Sequence, residues 1–386
     1  MNHFTFHNPV KVVFGRGSIA ELPRLIPSDA NVMVLYGGGS IRRNGVYDQV
    51  AGALEGLDWG EFGGIAPNPR YDTCIKAAAM ASAEGASFLL AVGGGSVLDA
   101  AKFVAVAALY PPGRDPWEIM LTVNQVERAV PLGCVMTLPA TGSEMNGNAV
   151  VTRDSTREKL FFKSEKVYPR FSILDPSVTF SLPPRQTANG VIDAFVHVME
   201  QYLTYPVNAP LQDRQAEAIL QTLLEEGPKC LARPDDYDAR ANVMWCATNA
   251  LNGLLGCGVP GDFASHRIGH ELTALYELDH ARTLAITFPA VTKHLRAQKL
   301  GKLVQYAERV WGVTGGDDDA KADAAIAKTE AFFHSLGVGT RLTDHGIPPE
   351  AISQVSDRLE ARGQKLSEQV PLTRADVEAI LTLAAE

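Results

Sequence analysis

The chain has 386 residues, 46% hydrophobic and 20% charged, which suits a soluble globular protein with room for two domains and sizeable cores. A net charge of −9 speaks against a nucleic-acid or anionic-membrane surface. The sequence opens without a basic and apolar leader, carries no apolar run long enough to span a bilayer, and scatters five cysteines (Cys74, Cys134, Cys230, Cys246, Cys257) without a C-x-x-C, so a cytoplasmic setting with reduced thiols is expected.

Residues 3–14 read as one or two extended strands, placed near an edge by Pro9. The GRGS stretch at 15–18 then opens a short helix, with Ser18 as its N-cap. Residues 31–36, NVMVLY, form an apolar run that ends in Gly37-Gly38-Gly39-Ser40, and a helix follows from about Gly45. A second run at 87–92, SFLLAV, ends in Gly93-Gly94-Gly95-Ser96 and leads into VLDAAKFVAVAAL. A third at 132–138, LGCVMTL, is followed by PATGSE. Strand, glycine turn and helix in repetition predict a parallel α/β sheet. Beyond Leu182 the texture becomes helix-periodic, with no convincing strand, and the run TGGDDD at 314–319 reads as a solvated loop.

A triple glycine after a buried strand lets backbone approach a phosphate, and the helix that follows offers free N–H groups and the positive end of its dipole. Gly93–Ser96 is therefore the expected pyrophosphate loop, although its spacing is not G-x-G-x-x-G. Asp99 and Lys102 follow it at i,i+3; either they pair, or Asp99 faces the cofactor. The first turn lacks the carboxylate that a non-phosphorylated ribose would want. Gly38, Gly39 and Ser40, followed by Arg42 and Arg43, offer space, a hydroxyl and two cations for a 2′-phosphate. These features place a dinucleotide-binding α/β domain at 1–180 and a helical domain at 181–386.

In that second domain the stretch GVIDAFVHVMEQ sets Asp193 and His197 four residues apart, on one face of a helix. A later stretch supplies His266, His270 and His280. One carboxylate with imidazoles is a plausible first shell for zinc or ferrous iron.

Taken together, NPVKVVFG, YGGGSIRRNGVYDQV, PNPR, AVGGGSVLDAAK, TLPATGSEMN, LPPRQTANGVIDAFVHVMEQY, HRIGHELTALYELDHA and VQYAERVWG resemble the iron-type, or class III, alcohol dehydrogenases over nearly the whole chain. The likeness is strongest to the NADPH-dependent branch that holds butanol dehydrogenases and a broad-specificity aldehyde reductase. The resemblance implies a Rossmann-like parallel-sheet domain followed by an all-helical one, the two-domain plan of dehydroquinate synthase, with the active site between them. It implies metal ligands at Asp193, His197, His266 and His280, the ion being Fe2+ or Zn2+. It implies NADP(H) contacts at Gly38, Gly39, Ser40, Asn68, Gly94, Gly95, Ser96, Asp99, Thr137, Thr141 and Lys159. His270 matches a family histidine near the metal but not bound to it, and is the expected proton donor or relay. The expected reaction moves a hydride between NADP(H) and an aldehyde/alcohol pair, in a homodimer. Two rivals are a non-redox metalloenzyme on the same plan and a nucleotide-binding sensor without catalysis. The first needs several cations for a charged substrate, whereas 145–149 and 251–260 are neutral and apolar; the second has no use for four metal ligands.

Overall fold

The computed structural model describes residues 1–121, 126–363 and 365–385. By its internal contacts the chain divides into two units. One comprises 7–183 and 234–248; the other comprises 1–6, 184–233 and 249–386. One boundary falls at Pro183/Pro184, and the first six residues and the return segment Pro234–Thr248 belong to the opposite unit from their chain neighbours.

The first unit is built on a six-stranded, all-parallel sheet: β1 Lys11–Phe14, β2 Asn31–Tyr36, β3 Asp58–Phe62, β4 Phe88–Gly94, β5 Leu132–Leu138 and β8 Phe171–Leu174, in the spatial order β1-β8-β5-β4-β2-β3. An antiparallel pair, β6 Asn148–Arg153 and β7 Glu158–Lys163, forms a separate ribbon. Strand residues alternate between two cores, as a period of two requires. Met33, Leu35, Leu89, Ala91, Cys134 and Met136 face one core, with Ala77 and Ala81 of α2 (Tyr71–Ala83) and Leu98 and Phe103 of α3 (Gly95–Ala107). Val32, Val34, Phe88, Leu90, Val92 and Val135 face the other, with Ile19, Leu22 and Val46 and Val50 of α1 (Val46–Ala53). Burial on both faces explains why the central strands read as continuous apolar runs.

The second unit is helical. It contains α4 Pro184–Tyr202, α5 Pro210–Ala232, α7 Ala264–Tyr276, α8 His280–His294, α9 Arg296–Arg309, α10 Asp318–Ser335, α11 Ala351–Arg362 and α12 Arg374–Leu383; α6, Tyr237–Ala250, runs from the return segment of the first unit into the second. Every residue of α4 from Gly190 to Tyr202 is buried, so this part of the helix is a core element with no solvent face. Phe195 fixes it by packing against the rings of Phe332 and Phe333 of α10, at 5.4 and 5.7 Å between centroids.

Four local expectations are corrected. The N-terminal extended stretch is a strand only over Lys11–Phe14, beyond Pro9, which has no N–H to give to a ladder. Gly17, not Ser18, precedes the first helical turn, and its N–H is held by Asp175 at 2.6 Å. The acidic run at 317–319 is more than solvated surface: the Asp317 side chain accepts from Ala320 N and caps α10, with Asp318 and Asp319 favourable against the helix dipole. The sequence does not announce strands β3, β6, β7 and β8; β3 lies largely half-exposed and lacks a continuous apolar run, and β7 is charged at three of its six positions.

Candidate dinucleotide cradle and metal centre

In the sheet, β2 sits between β3 and β4, so the chain order reverses there. Such a switch point leaves a crevice at the carboxyl ends of the strands, where α/β sheets bind ligands. Both glycine turns emerge at it, since Tyr36 of β2 pairs with Val92 of β4. A Cβ on Gly95 would stand 2.5 Å from Thr141 Oγ1, so only glycine lets α3 begin this close to the next turn. Thr137 is the extra residue of a bulge: Gly93 pairs with Met136 and Gly94 with Leu138. Asn68 donates its backbone N–H to Ser96 Oγ at 3.3 Å and accepts from Lys159 Nζ at 2.9 Å. The structure therefore brings Asn68, Gly94, Gly95, Ser96, Thr137, Thr141 and Lys159 together, with Gly38, Gly39 and Ser40 at the end of the neighbouring strand.

Asp99 and Lys102 make no direct ion pair. Asp99 accepts from Ser143 Oγ at 2.7 Å and from Val150 N at 3.0 Å, which ties α3 to the ribbon. Burial pushes its carboxyl above the ordinary range, opposed by the Lys102 charge and the Ser143 hydroxyl. Arg42 differs from its expected role as well: its guanidinium reaches Glu61 at 2.5 Å and the Tyr36 hydroxyl at 2.9 Å, and lies 3.8 Å from the Tyr47 ring centroid. Arg42 is thus engaged by a carboxylate from the neighbouring strand β3, and both Arg42 and Arg43 are exposed.

The metal candidates all lie in the helical unit. Asp193 and His197 stand one turn apart on α4, both buried, with His197 Nδ1 3.7 Å from Asp193 Oδ1. His266 comes from α7 and His280 opens α8. Gly269 of α7 makes their approach possible, because a Cβ there would meet Thr283 Oγ1 at 2.7 Å. One ligand atom from each of Asp193, His266 and His280 lies within 4.8 Å of the others. His280 Nε2 is 3.7 Å from Asp193 Oδ1, and His197 Nε2 is 3.0 Å from His266 Nε2. Two nitrogens at ~2.1 Å from one ion stand about 3.0–3.4 Å apart, so the spacing fits a common divalent metal. Burial, then the nearby His266, pushes the His197 imidazole down to about 4, against the pull of Asp193; it is held in the neutral form that binds metals.

His270 lies one turn beyond His266 on α7, its ring 5.2 Å from that of His280 and 6.4 Å from that of His266. It borders the cluster of donors.

Glu200 was missed. It stands at i+7 from Asp193 and i+3 from His197, on the same face of α4, and the spacing in GVIDAFVHVMEQ could have exposed it. It is buried, accepts Ser265 N at 2.9 Å and His266 N at 3.3 Å, and contacts His266 Nδ1. That contact leaves Nε2 of His266 for the metal, as a carboxylate–histidine–metal arrangement requires. Burial, then Asp262, pushes the Glu200 carboxyl well above its ordinary range, with the Ser265 and His266 donors opposing them. Asp279 plays a similar supporting part before His280: it accepts from Arg185 Nε at 2.8 Å and Asn189 Nδ2 at 2.9 Å, both one or two turns before Asp193 on α4.

Comparison with known proteins identifies the family. Residues 9–176 match the family model for iron-containing alcohol dehydrogenase, and 187–385 match the C-terminal model of the same family. The chain is 55% identical over 364 residues to the NADPH-dependent aldehyde reductase YqhD of Escherichia coli, covering 94% of each chain. It is 42% identical to the probable NADH-dependent butanol dehydrogenase 1 of Bacillus subtilis, over 99% of each. Among solved structures, it superposes on E. coli YqhD with a TM-score of 0.98 at 53% identity, covering 99% of each chain. The NADH-dependent butanol dehydrogenase A of Thermotoga maritima gives 0.96 at 40% identity, over 100% of this chain and 99% of that one. With both halves matched and the donor set assembled, the chain belongs to the iron-containing alcohol dehydrogenase family.

Proposed function

We infer that the protein is a metal-dependent alcohol dehydrogenase, or aldehyde reductase, that moves a hydride between NADP(H) and a primary alcohol/aldehyde pair. The observation that carries this reading is the assembly of one buried carboxylate and three imidazoles from three helices, in a chain whose family is defined by such chemistry. Residues 1–180 serve as the dinucleotide domain and 181–386 as the metal domain. Asp193, His197, His266 and His280 hold the divalent ion, and the cradle of Gly38, Gly39, Ser40, Asn68, Gly94, Gly95, Ser96, Asp99, Thr137, Thr141 and Lys159 holds the cofactor. When bound, the nicotinamide supplies the hydride and the divalent ion supplies Lewis acidity for the substrate oxygen.

The chain's own residues do the rest. Glu200 fixes the tautomer of His266 by holding its Nδ1. Arg185 and Asn189 hold Asp279, and so the entry into α8 at His280. A ring nitrogen of His270 gives the proton that turns the aldehyde oxygen into the product hydroxyl in reduction, and takes that proton back in oxidation, as imidazole can near neutral pH.

The preference for NADPH is supported by the turn Gly38-Gly39-Ser40, which has no carboxylate of its own, and by the name of the E. coli relative. Because Arg42 is drawn to Glu61, Arg43 is the cation assigned to the 2′-phosphate. A homodimer and a cytoplasmic setting complete the proposal. Light scattering that found only monomer, or disulfides in protein taken from cells, would remove these two points. Among the described residues no helix is long and apolar enough to cross a membrane, and no disulfide joins any two of the five cysteines.

Metal analysis of single variants tests the ligand assignment. His280→Ala is expected to lose metal and activity together, whereas His270→Ala keeps its metal and turns over more slowly. Glu200→Gln is expected to retain the fold but weaken metal binding by roughly 10–100-fold, the usual scale for a partner of a ligating histidine. Metal lost from His270→Ala and kept in His280→Ala would reverse the two roles.

Substitution in the first turn tests cofactor choice. Gly39 has φ +84°, a region that aspartate tolerates better than most residues, and a Cβ there meets nothing within 4 Å. In Gly39→Asp the ratio of kcat/KM for NADPH over NADH should fall about ten-fold or more, the scale of one added charge repulsion near a surface. A wild-type enzyme that uses both cofactors equally would contradict this reading of the turn.

A further inference from the structure

The ammonium of Lys102 is fully buried, and nothing in the proposed reaction uses it. It lies on α3, two turns beyond the Gly93–Ser96 turn. Four acceptors surround it: Ser143 O at 2.7 Å, Ser143 Oγ at 2.8 Å, Asn148 O at 2.8 Å and Asn146 Oδ1 at 3.2 Å. All four belong to the short segment that begins just after Thr141. Three protons on one nitrogen suit such an arrangement, and a neutral side chain of the same shape would leave several carbonyl and amide oxygens buried without donors.

The segment that Lys102 grips is the other wall of the cofactor cradle. Thr141 Oγ1 accepts from Ser143 N at 3.2 Å, and the Thr141 side chain occupies the space that a Cβ on Gly95 would need. Ser143 Oγ passes its own hydrogen to Asp99 at 2.7 Å, and Asp99 takes Val150 N with its second oxygen. Lys102 and Asp99 thus bracket residues 141–150 from one helix, the cation holding the turn and the carboxylate holding the strand that follows. Glu144, on the same turn, is fully buried and takes the Thr248 hydroxyl at 2.7 Å. Burying a charge at this depth costs several kcal/mol unless its partners are well placed. A hydrophobic residue in its place would strand the four acceptors, so the cation sets the conformation of the turn by satisfying them together. Burial pushes the ammonium down to about 8, with Asp99 opposing the shift.

We propose that Lys102 is a positioning residue for dinucleotide binding, acting through Ser143 to hold Thr141 against Gly95. The inference rests on the NADP(H) reading of the cradle. It assigns Lys102 no contact with cofactor or substrate.

The test is titration of the purified enzyme, with its metal in place, with NADPH, followed by cofactor fluorescence, for wild type, Lys102→Met and Ser143→Ala. Thermal unfolding and the metal dissociation constant are measured on the same samples. Lys102→Met should weaken NADPH binding roughly ten-fold or more, since small misplacements of a binding wall cost on that scale, and Ser143→Ala should weaken it less but in the same direction. The metal dissociation constant should not move, and in the steady state KM for NADPH should rise more than kcat falls. If Lys102→Met does not fold, Ser143→Ala decides alone. Wild-type affinity for NADPH in the folded variants, whatever their melting temperatures, overturns the proposal and leaves the function intact. A wild-type protein that binds neither NADPH nor NADH overturns the function, and this inference with it.

Discussion

One helix face gathers three buried polar groups that the rest of the helical unit has to accommodate. Asp193, His197 and Glu200 point from the same side of α4, a helix buried from Gly190 to Tyr202. Two carboxylates and an imidazole in such surroundings are costly unless each has a partner of suitable charge or hydrogen bonding. The fold supplies those partners from two later helices. Glu200 takes the backbone and ring of His266, and Asp193 stands near His197 and His280. Packing of α7 on α8 at Gly269 and the rings of Phe332 and Phe333 around Phe195 keep that geometry in place. The helical unit is therefore organised to pay the desolvation of one polar stripe.

The sheet unit solves a different problem, which is to leave backbone exposed to an anionic ligand without leaving it loose. Reversal of strand order between β2 and β4 puts two glycine turns side by side. Glycine alone would make such turns mobile. The polar bracket on α3 counteracts this, with Asp99 and Lys102 reaching the segment after β5 through six hydrogen bonds. The two units thus show the same strategy: a polar group whose burial is costly specifies a conformation that apolar packing would leave free.

Much of this was legible in the residues. The runs at 31–36 and 132–138 coincide with β2 and β5, because strands buried on both faces are apolar throughout. The i,i+4 spacing of Asp193 and His197 announced the face of α4. Less visible were features that depend on distant pairing. Strand β3, DWGEF, is polar at two positions, and its place at the sheet edge asks for little hydrophobicity. Glu61 on that strand captures Arg42 across nineteen positions of sequence, so two adjacent arginines looked equally available when they are not. Lys102 looked like half of an i,i+3 pair with Asp99, whereas both converge on Ser143 from a segment some forty residues away. Glu200 was in plain view on the helix, and only the fold shows that its partner is a histidine on another one.

The central claim is that the stripe on α4 serves a catalytic divalent ion. Treating the purified enzyme with a chelator, then assaying aldehyde-dependent NADPH oxidation beside NADPH binding, tests it most directly. Activity should be lost, NADPH should still bind with little change, and Fe2+ or Zn2+ should restore turnover. Full activity in protein shown to be free of metal would contradict it.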